Sequence, residues 1–381
     1  MASTKNRRIV MLIGVPKEIK NNEYRVGMTP AGVRELVGLG HKVIVETNAG
    51  KAIGLTNDMY RQAGAEIYEL ASEIFAVAEL IIKVKEPQAQ ERKMLRPQQS
   101  LFTYLHLAPD FEQTKDLVES NSICIAYETV TDKVGGLPLL APMSEVAGRM
   151  SVQAGAHALE KTQGGMGILL AGVPGVSPAK VVVLGGGVVG INAARIAMGM
   201  GADVTIIDKS LARLKELDEQ FGPQLKTIYS TTDTVERAVY RADMVVGAVL
   251  VPGATAPKLV TKPMLKQMKD GAVIIDVAID QGGCFESSYP TTHDEPTYIE
   301  EGVIHYCVAN MPGGVARTST FALTNATLPF IIDLANKGID KALTEDEHLR
   351  RGLNIYQGKV AYQAVAEAHD YPYHETADLL G

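Results

Sequence analysis

The stretch VVVLGGGVVGINAARIAMGMGADVTIID, residues 181–208, constrains the fold of this chain more than any other. A β-branched run leads into Gly185-x-Gly187-x-x-Gly190. A helix-like segment follows, then a second apolar run that ends in Asp208. In such a unit the first glycine permits a tight turn. The second lets the backbone approach a pyrophosphate, and the third lets helix and strand pack closely. The helix start offers unpaired N–H groups to the phosphates, here from Val188 and Val189 onward. A carboxylate at the end of the second strand can accept ribose hydroxyls and repel a 2′-phosphate, which favours NAD over NADP. The order strand, glycines, helix, strand, acid therefore predicts a Rossmann NAD-binding unit. Lys209 and Arg213 lie just beyond the acid, where they either soften that preference or form a solvated helix start.

Short β-branched runs recur on both sides of this unit. Before it come 9–15, 42–46, 80–85, 101–105 and 123–127. Within and after it come 180–185, 203–208, 243–250, 271–279 and 303–309. Helix-like stretches such as 29–40 and 110–120 separate them. This alternation predicts an α/β chain with two doubly wound parallel sheets. A long connecting helix is expected over 144–163 and another over 321–338. If the latter packs back on the first sheet, the first domain is discontinuous. The expected division is 1–138 with 312–381 as a substrate domain and 139–311 as the NAD-binding domain, with the active site in a cleft between them.

Composition narrows the function classes. The formal net charge is −7, and no dense Lys/Arg block or tryptophan is present, which argues against nucleic-acid binding. Cys124, Cys284 and Cys307 are far apart and lack metal-ligand spacing, so no metal is expected. Their sparse, odd count fits a reducing compartment. Arg7-Arg8 and the apolar run after them faintly resemble a signal peptide, but polar sequence follows at once without a cleavage motif. With no apolar run near the ~18 residues of a membrane span, the expected location is the cytoplasm.

Outside the glycine loop, five residues suggest chemistry. Arg25 follows the first strand and offers a planar fork that matches a carboxylate; otherwise it is a surface arginine in a polar loop. Lys83 and Lys85 sit two apart at the end of the run 80–85, which would put them on one face of a strand. Either they await an anion or they snorkel to water at the sheet edge. His106 closes another strand and suits proton transfer, although a lone histidine there is commonly structural. Asp280 ends the apolar run 271–279 before Gln281-Gly282-Gly283, where a turn aspartate is the alternative. Asp276, inside that run, reads as a buried structural acid.

The segments GVPKEIKNNEYRVGMTPAGV (14–33), KVKEP (83–87), LFTYLHLAPD (101–110), LPLLAPMSEVAGR (137–149), GAVLVPGATAPKLV (247–260), DVAIDQGGCFE (276–286) and VANMPG (308–313) together resemble bacterial L-alanine dehydrogenase. The similarity runs from about residue 10 to past residue 330, with the motifs in order. It implies NAD-linked oxidative deamination of L-alanine to pyruvate and ammonium, the reverse amination, and a cytoplasmic homo-oligomer, most often a hexamer. It places the family's substrate-binding residues on Arg25 and Lys85 and its catalytic pair on His106 and Asp280. Its cofactor contacts fall on Ser144, Asp208, Arg213, Ser230, Val249 and Leu250. They continue on Val277, Ala278, Ile279 and Asp280, and on Val308, Ala309, Asn310 and Met311. Met166, Gly314 and Ala316 depart from the residues frequent in the family and bear on loop geometry. Two other readings share parts of the pattern. One is the NAD(H)-binding component of a proton-translocating transhydrogenase; the other is a lysine- or opine-type dehydrogenase with a larger substrate.

Overall fold

The structure, a computed structural model, describes residues 9–249 and 257–381. The first sheet begins with β1 (Leu12–Val15), β2 (Lys42–Glu46), β3 (Glu66–Tyr68), β4 (Leu80–Ile82), β5 (Ser100–Thr103) and β6 (Ile123–Ala126). A second sheet holds β7 (Lys180–Leu184), β8 (Asp203–Asp208), β9 (Leu225–Tyr229), β10 (Met244–Gly247), β11 (Val273–Asp276), β12 (Thr297–Glu300) and β13 (Val303–Tyr306). The chain then returns to the first sheet with β14 (Leu353–Tyr356) and β15 (Lys359–Val360).

The strand orders are β15-β14-β6-β5-β4-β1-β2-β3 and β12-β13-β11-β10-β7-β8-β9. All pairings are parallel except those of β14 with β6 and β15, and of β12 with β13. The α/β reading holds, with antiparallel strands added at one edge of each sheet. Both sheets have a topological switch point. In the first, the chain moves outward from β1 to β3 and returns to place β4 beside β1, with Ile13 opposite Leu80 and Gly14 opposite Ile81. In the second, β10 returns beside β7. Ligands of open α/β sheets bind at the carboxyl ends of strands at such points. Arg25 lies downstream of β1, Lys85 downstream of β4, Gly185 after β7 and Val249 after β10.

Contacts divide the chain into two compact units, the residues up to Met143 with Val315–Gly381, and Ser144–Gly314. Alternation along β7 shows how the second unit is built. Val181 and Val183 enter one buried cluster, Val182 and Leu184 another, so both faces of the strand are covered. In the first unit Ile81, Leu101, Cys124 and Ile355 share one core across four neighbouring strands. Local signals set the helices. Thr29 caps Pro30–Gly38, whose first position is proline, and Asp110 caps Phe111–Glu119. The helix expected over 144–163 spans Ala141–Ala158, and the one expected over 321–338 spans Ala316–Lys337. The latter packs within the first unit, where the Thr320 hydroxyl accepts the Val26 N–H and the Arg317 guanidinium donates to the Ile53 carbonyl. Among the described residues no helix is long and apolar enough to cross a membrane.

Candidate active site

The first unit gathers its chemistry at the exits of β1, β4 and β5. Arg25 is 2 % exposed, so it is not a surface arginine. Its Nε and Nη2 donate to the two carboxylate oxygens of Glu23 at 2.7 and 2.6 Å, and its Nη1 lies 3.1 Å from Met143 Sδ. Burial alone would favour losing the proton, but Glu23 outweighs it and holds the guanidinium charged. The fork is thus pre-set by an anchored carboxylate. The loop behind it touches the end of β4, since a Cβ on Gly27 would lie 2.7 Å from the Ile82 carbonyl oxygen.

The two lysines do not share one environment. β4 ends at Ile82, so the strand periodicity that would put them on one face stops before Lys83. Lys83 is fully buried, 3.0 Å from Glu18 Oε2 and 2.8 Å from Glu91 Oε1. It therefore neither snorkels to water nor lacks an anion. Glu18 and Glu91 hold it firmly protonated, although burial opposes the charge. Lys85 keeps 15 % of its side chain exposed and lies 3.4 Å from Glu86 Oε2. Burial opposes ionisation of Glu86, yet Lys85 and Lys20 together bring its carboxyl below the ordinary value. Of the pair, Lys85 is the cation within reach of a ligand.

His106 has φ +50°, in the left-handed region that costs a non-glycine residue about 1–2 kcal/mol. Glu128 supports this backbone. Its Oε1 accepts the His106 N–H at 2.6 Å, and both its oxygens lie 3.2 Å from the Leu105 nitrogen. The same carboxylate lies 3.9 Å from His106 Nδ1. The imidazole stacks on Tyr104, with centroids 5.9 Å apart and planes within 6°, and 42 % of the side chain is exposed. Tyr104 itself is buried and donates its hydroxyl proton to the Leu139 carbonyl. The result is an accessible imidazole on a fixed base. A pocket of about 410 Å³ opens beside Arg25, with Lys17, Glu18, Glu23, Tyr24 and Lys51 in its walls. Neither Lys85 nor His106 lines it.

In the second unit the glycine loop has the form that a pyrophosphate requires. Gly185 has φ +102°, and a Cβ on Gly190 would lie 1.8 Å from the Gly185 carbonyl oxygen. Among the described residues a Cβ on Gly187 would meet nothing within 4 Å at the start of the helix Val188–Gly199. The residues therefore fit a dinucleotide. The N–H groups there would face the phosphates, and Asp208 would face the ribose. Asp208 Oδ2 accepts the Gly186 N–H at 2.6 Å and Oδ1 the Ser210 N–H at 2.8 Å. Arg213 also braces the loop, donating from Nε to the Gly186 carbonyl at 2.6 Å and from Nη1 to Glu216 at 2.7 Å. Ser230 donates its N–H to the Asp208 carbonyl at 2.9 Å.

The other expected cofactor contacts are dispersed along this unit. Val249 presses on Gly185, within 2.9 Å of where a Cβ would stand; its neighbour Leu250 lies outside the described residues. Ser144 is half-buried on the helix Ala141–Ala158. Val277 is half-buried and Ala278 and Ile279 are buried, while Asp280 is exposed in the turn Ile279–Gln281. Val308 and Met311 are buried, Ala309 is exposed and Asn310 lies between them in exposure. Asp276 is the structural acid of its strand, accepting from the Cys284 N–H at 2.8 Å and the Phe285 N–H at 3.2 Å. Gly314 has a local reason, because a Cβ there would lie 2.7 Å from His293 Cε1. The groups missed in the sequence are Glu18, Glu23, Glu91, Tyr104, Glu128 and Met143. Only Glu23, two residues before Arg25, carried a local signal.

These two constellations define a class: two-unit α/β oxidoreductases with a dinucleotide-type glycine loop in one unit and an arginine, a lysine and a histidine at neighbouring strand exits in the other. The chain matches the families described as "Alanine dehydrogenase/PNT, N-terminal domain" over residues 14–147 and "Alanine dehydrogenase/PNT, C-terminal domain" over residues 151–363. It belongs to the alanine dehydrogenase/PNT family. It is 61 % identical to an alanine dehydrogenase of Halomonas elongata, over 97 % of this chain and 100 % of that protein. A solved L-alanine dehydrogenase superposes with a TM-score of 0.92 at 50 % identity, covering 94 % of this chain and 99 % of the other. A transhydrogenase from Sinorhizobium meliloti is more distant, with a TM-score of 0.80 at 25 % identity over 92 % of this chain and 100 % of that one.

Proposed function

We propose that this protein interconverts L-alanine and pyruvate, with NAD as the hydride acceptor. L-alanine, water and NAD⁺ give pyruvate, ammonium, NADH and a proton. The observation that carries this reading is the first unit's switch point, where a buried, pre-oriented guanidinium, a partly exposed ammonium and an accessible imidazole belong to neighbouring strand exits. The 61 % identity to an alanine dehydrogenase along nearly the whole chain supports it. The transhydrogenase component is the less supported reading, at 25 % identity.

In this account Arg25 and Lys85 hold the substrate carboxylate, a fork and a point charge on one anion. His106 removes a proton from the substrate amine, and later from the water that adds to the iminium carbon. Asp280 stabilises the cationic centre as it forms. When bound, the nicotinamide accepts the hydride from Cα. The loop from Gly185 to Gly190 would hold its phosphates, and Asp208 would take the ribose hydroxyls and so select NAD over NADP. Ser144, Arg213, Ser230, Val249, Leu250, the residues from Val277 to Asp280 and those from Val308 to Met311 complete the cofactor's surroundings. The reading extends to a cytoplasmic homo-oligomer, a hexamer, which sedimentation would test. For the reaction itself the test is NADH oxidation with ammonium across a panel of 2-oxo acids. Pyruvate is expected to give the highest kcat/KM, and no turnover of pyruvate would reject the reading.

A further inference from the structure

Lys83 is the most deeply buried charge of the first unit, and the reaction as described does not use it. It is fully buried, with Glu18 and Glu91 as partners whose side chains are only 2 % exposed. Stability alone does not account for such a set. Two buried carboxyl groups around one buried ammonium cost more than apolar residues of the same volume would, and burial pushes the Glu18 carboxyl up despite Lys83 beside it. What an apolar set could not do is accept hydrogen bonds.

Each carboxylate has a second bond, and both go to the turn that carries Lys85. Glu18 Oε1 accepts the Val84 N–H at 2.6 Å. Glu91 Oε2 accepts the Gln88 N–H at 2.8 Å. Val84 precedes Lys85 by one residue, and Gln88 follows it by three. The ammonium of Lys83 thus joins two clamps that hold the segment 84–88 at either end. The topology explains the need. β1 ends at Val15 and β4 at Ile82, so Val84, itself fully buried, has left the ladder with β1. Its N–H would be an orphan donor without Glu18, which reaches over from the loop after β1. On the other side the ladder continues: the Tyr104 N–H donates to the Val84 carbonyl at 3.2 Å, and the Thr103 hydroxyl donates to the Lys85 carbonyl at 3.0 Å.

We propose that Glu18, Lys83 and Glu91 form a positioning clamp that fixes the Lys85 turn at the switch point of the first sheet, so that the Lys85 ammonium meets a substrate carboxylate without reorganisation. The proposal rests on the reading of Lys85 as the substrate-binding lysine. Lys83 is a positioning residue and touches no substrate. A fixed ammonium contributes binding that a mobile one loses to the entropy of ordering.

The test compares Lys85→Met, Glu18→Gln and Glu91→Gln in the full-length protein. Each Gln variant keeps the side chain's size and leaves one carboxyl group beside the Lys83 ammonium, so both are expected to fold. The clamp predicts that each raises the pyruvate KM roughly tenfold. NADH affinity, by fluorescence titration, should stay near that of the unmutated protein, while the thermal midpoint falls somewhat, because one end of each glutamine amide then faces a donor. A merely structural triad would shift the midpoint and leave KM unchanged. An unchanged pyruvate KM in either Gln variant overturns the clamp. Lys85→Met separates this from the underlying reading. If it abolishes pyruvate turnover while the Gln variants keep the unmutated KM, the clamp alone fails. If Lys85→Met itself turns over pyruvate normally, the assignment of Lys85 fails.

Discussion

Glu128→Gln tests the seat of the histidine. Glu128 holds His106 through the backbone, with its carboxylate accepting the His106 N–H at 2.6 Å and lying 3.2 Å from the Leu105 nitrogen. The backbone it holds, with φ +50°, costs a histidine about 1–2 kcal/mol relative to an ordinary conformation. A hydrogen bond to a charged acceptor contributes about 1.5–3 kcal/mol, so the carboxylate outweighs the strain. Glutamine keeps one accepting oxygen but loses the charge and the second acceptor, a loss of about 1–2 kcal/mol. That is comparable to the strain. The equilibrium between the productive His106 conformer and its alternatives should shift by a factor of roughly 5–30, so the productive population, and kcat with it, should fall roughly 2–10-fold. Pyruvate KM and NADH affinity should change far less, because Arg25, Lys85 and the glycine loop are untouched. Steady-state amination of pyruvate, with NADH binding followed by fluorescence, reads both quantities. A kcat within twofold of the unmutated protein would refute the reasoning, since the left-handed backbone would then hold without its carboxylate.

Three further outcomes follow from the site. His106→Ala should lower kcat by roughly 10²–10⁴-fold, and deamination by the unmutated protein should be faster at alkaline pH, where the substrate amine is deprotonated; a near-normal kcat in the variant would remove His106 from the mechanism. Asp208→Ala should bring the kcat/KM values for NADH and NADPH closer together and weaken both, because Asp208 also accepts the Gly186 N–H at 2.6 Å; equal efficiency with both cofactors in the unmutated protein would contradict the role of the acid. Glu86 has a folded-state carboxyl held below its ordinary value, so its contribution to stability is present above the unfolded value of about 4.3 and is lost as pH falls through the lower folded value. The gap in urea midpoint between the unmutated protein and Glu86→Gln should therefore be largest near about pH 6 and narrow as the pH falls below about 4.3, and a gap that widens on acidification would reverse the sign.

The second unit was the more legible in the sequence. β7 and β8 are buried β-branched runs, and the glycines between them have a single structural use. The strands that went unread are short or lie toward a sheet edge. They include β3 (Glu66–Tyr68), β9 (Leu225–Tyr229), β12 (Thr297–Glu300) and the returning pair β14 and β15. β3, β9, β12 and β15 bury one face or little, and β14, though buried, is only four residues long with Asn354 inside it, so their patterns merge with turns. At the first site the residues that would touch substrate stood out by type: an arginine, a lysine and a histidine at strand ends. The carboxylates that hold them did not. Glu18 lies 65 residues from Lys83 and Glu128 22 residues from His106, and only the strand order brings them together. The ion pairs of Lys83 were not legible in the run 80–85, because both partners, Glu18 and Glu91, lie outside it. No residue type announces the left-handed backbone of His106, since a glycine would have been the signal and the imidazole is needed instead.

The central claim is that this chain aminates pyruvate with NADH, and the most direct measurement is initial-rate NADH oxidation with ammonium and a series of 2-oxo acids of increasing side-chain size. The account predicts the highest kcat/KM for pyruvate and a decline as the side chain grows. A protein that binds NADH but turns over no 2-oxo acid, or one that prefers a bulky 2-oxo acid to pyruvate, would contradict it.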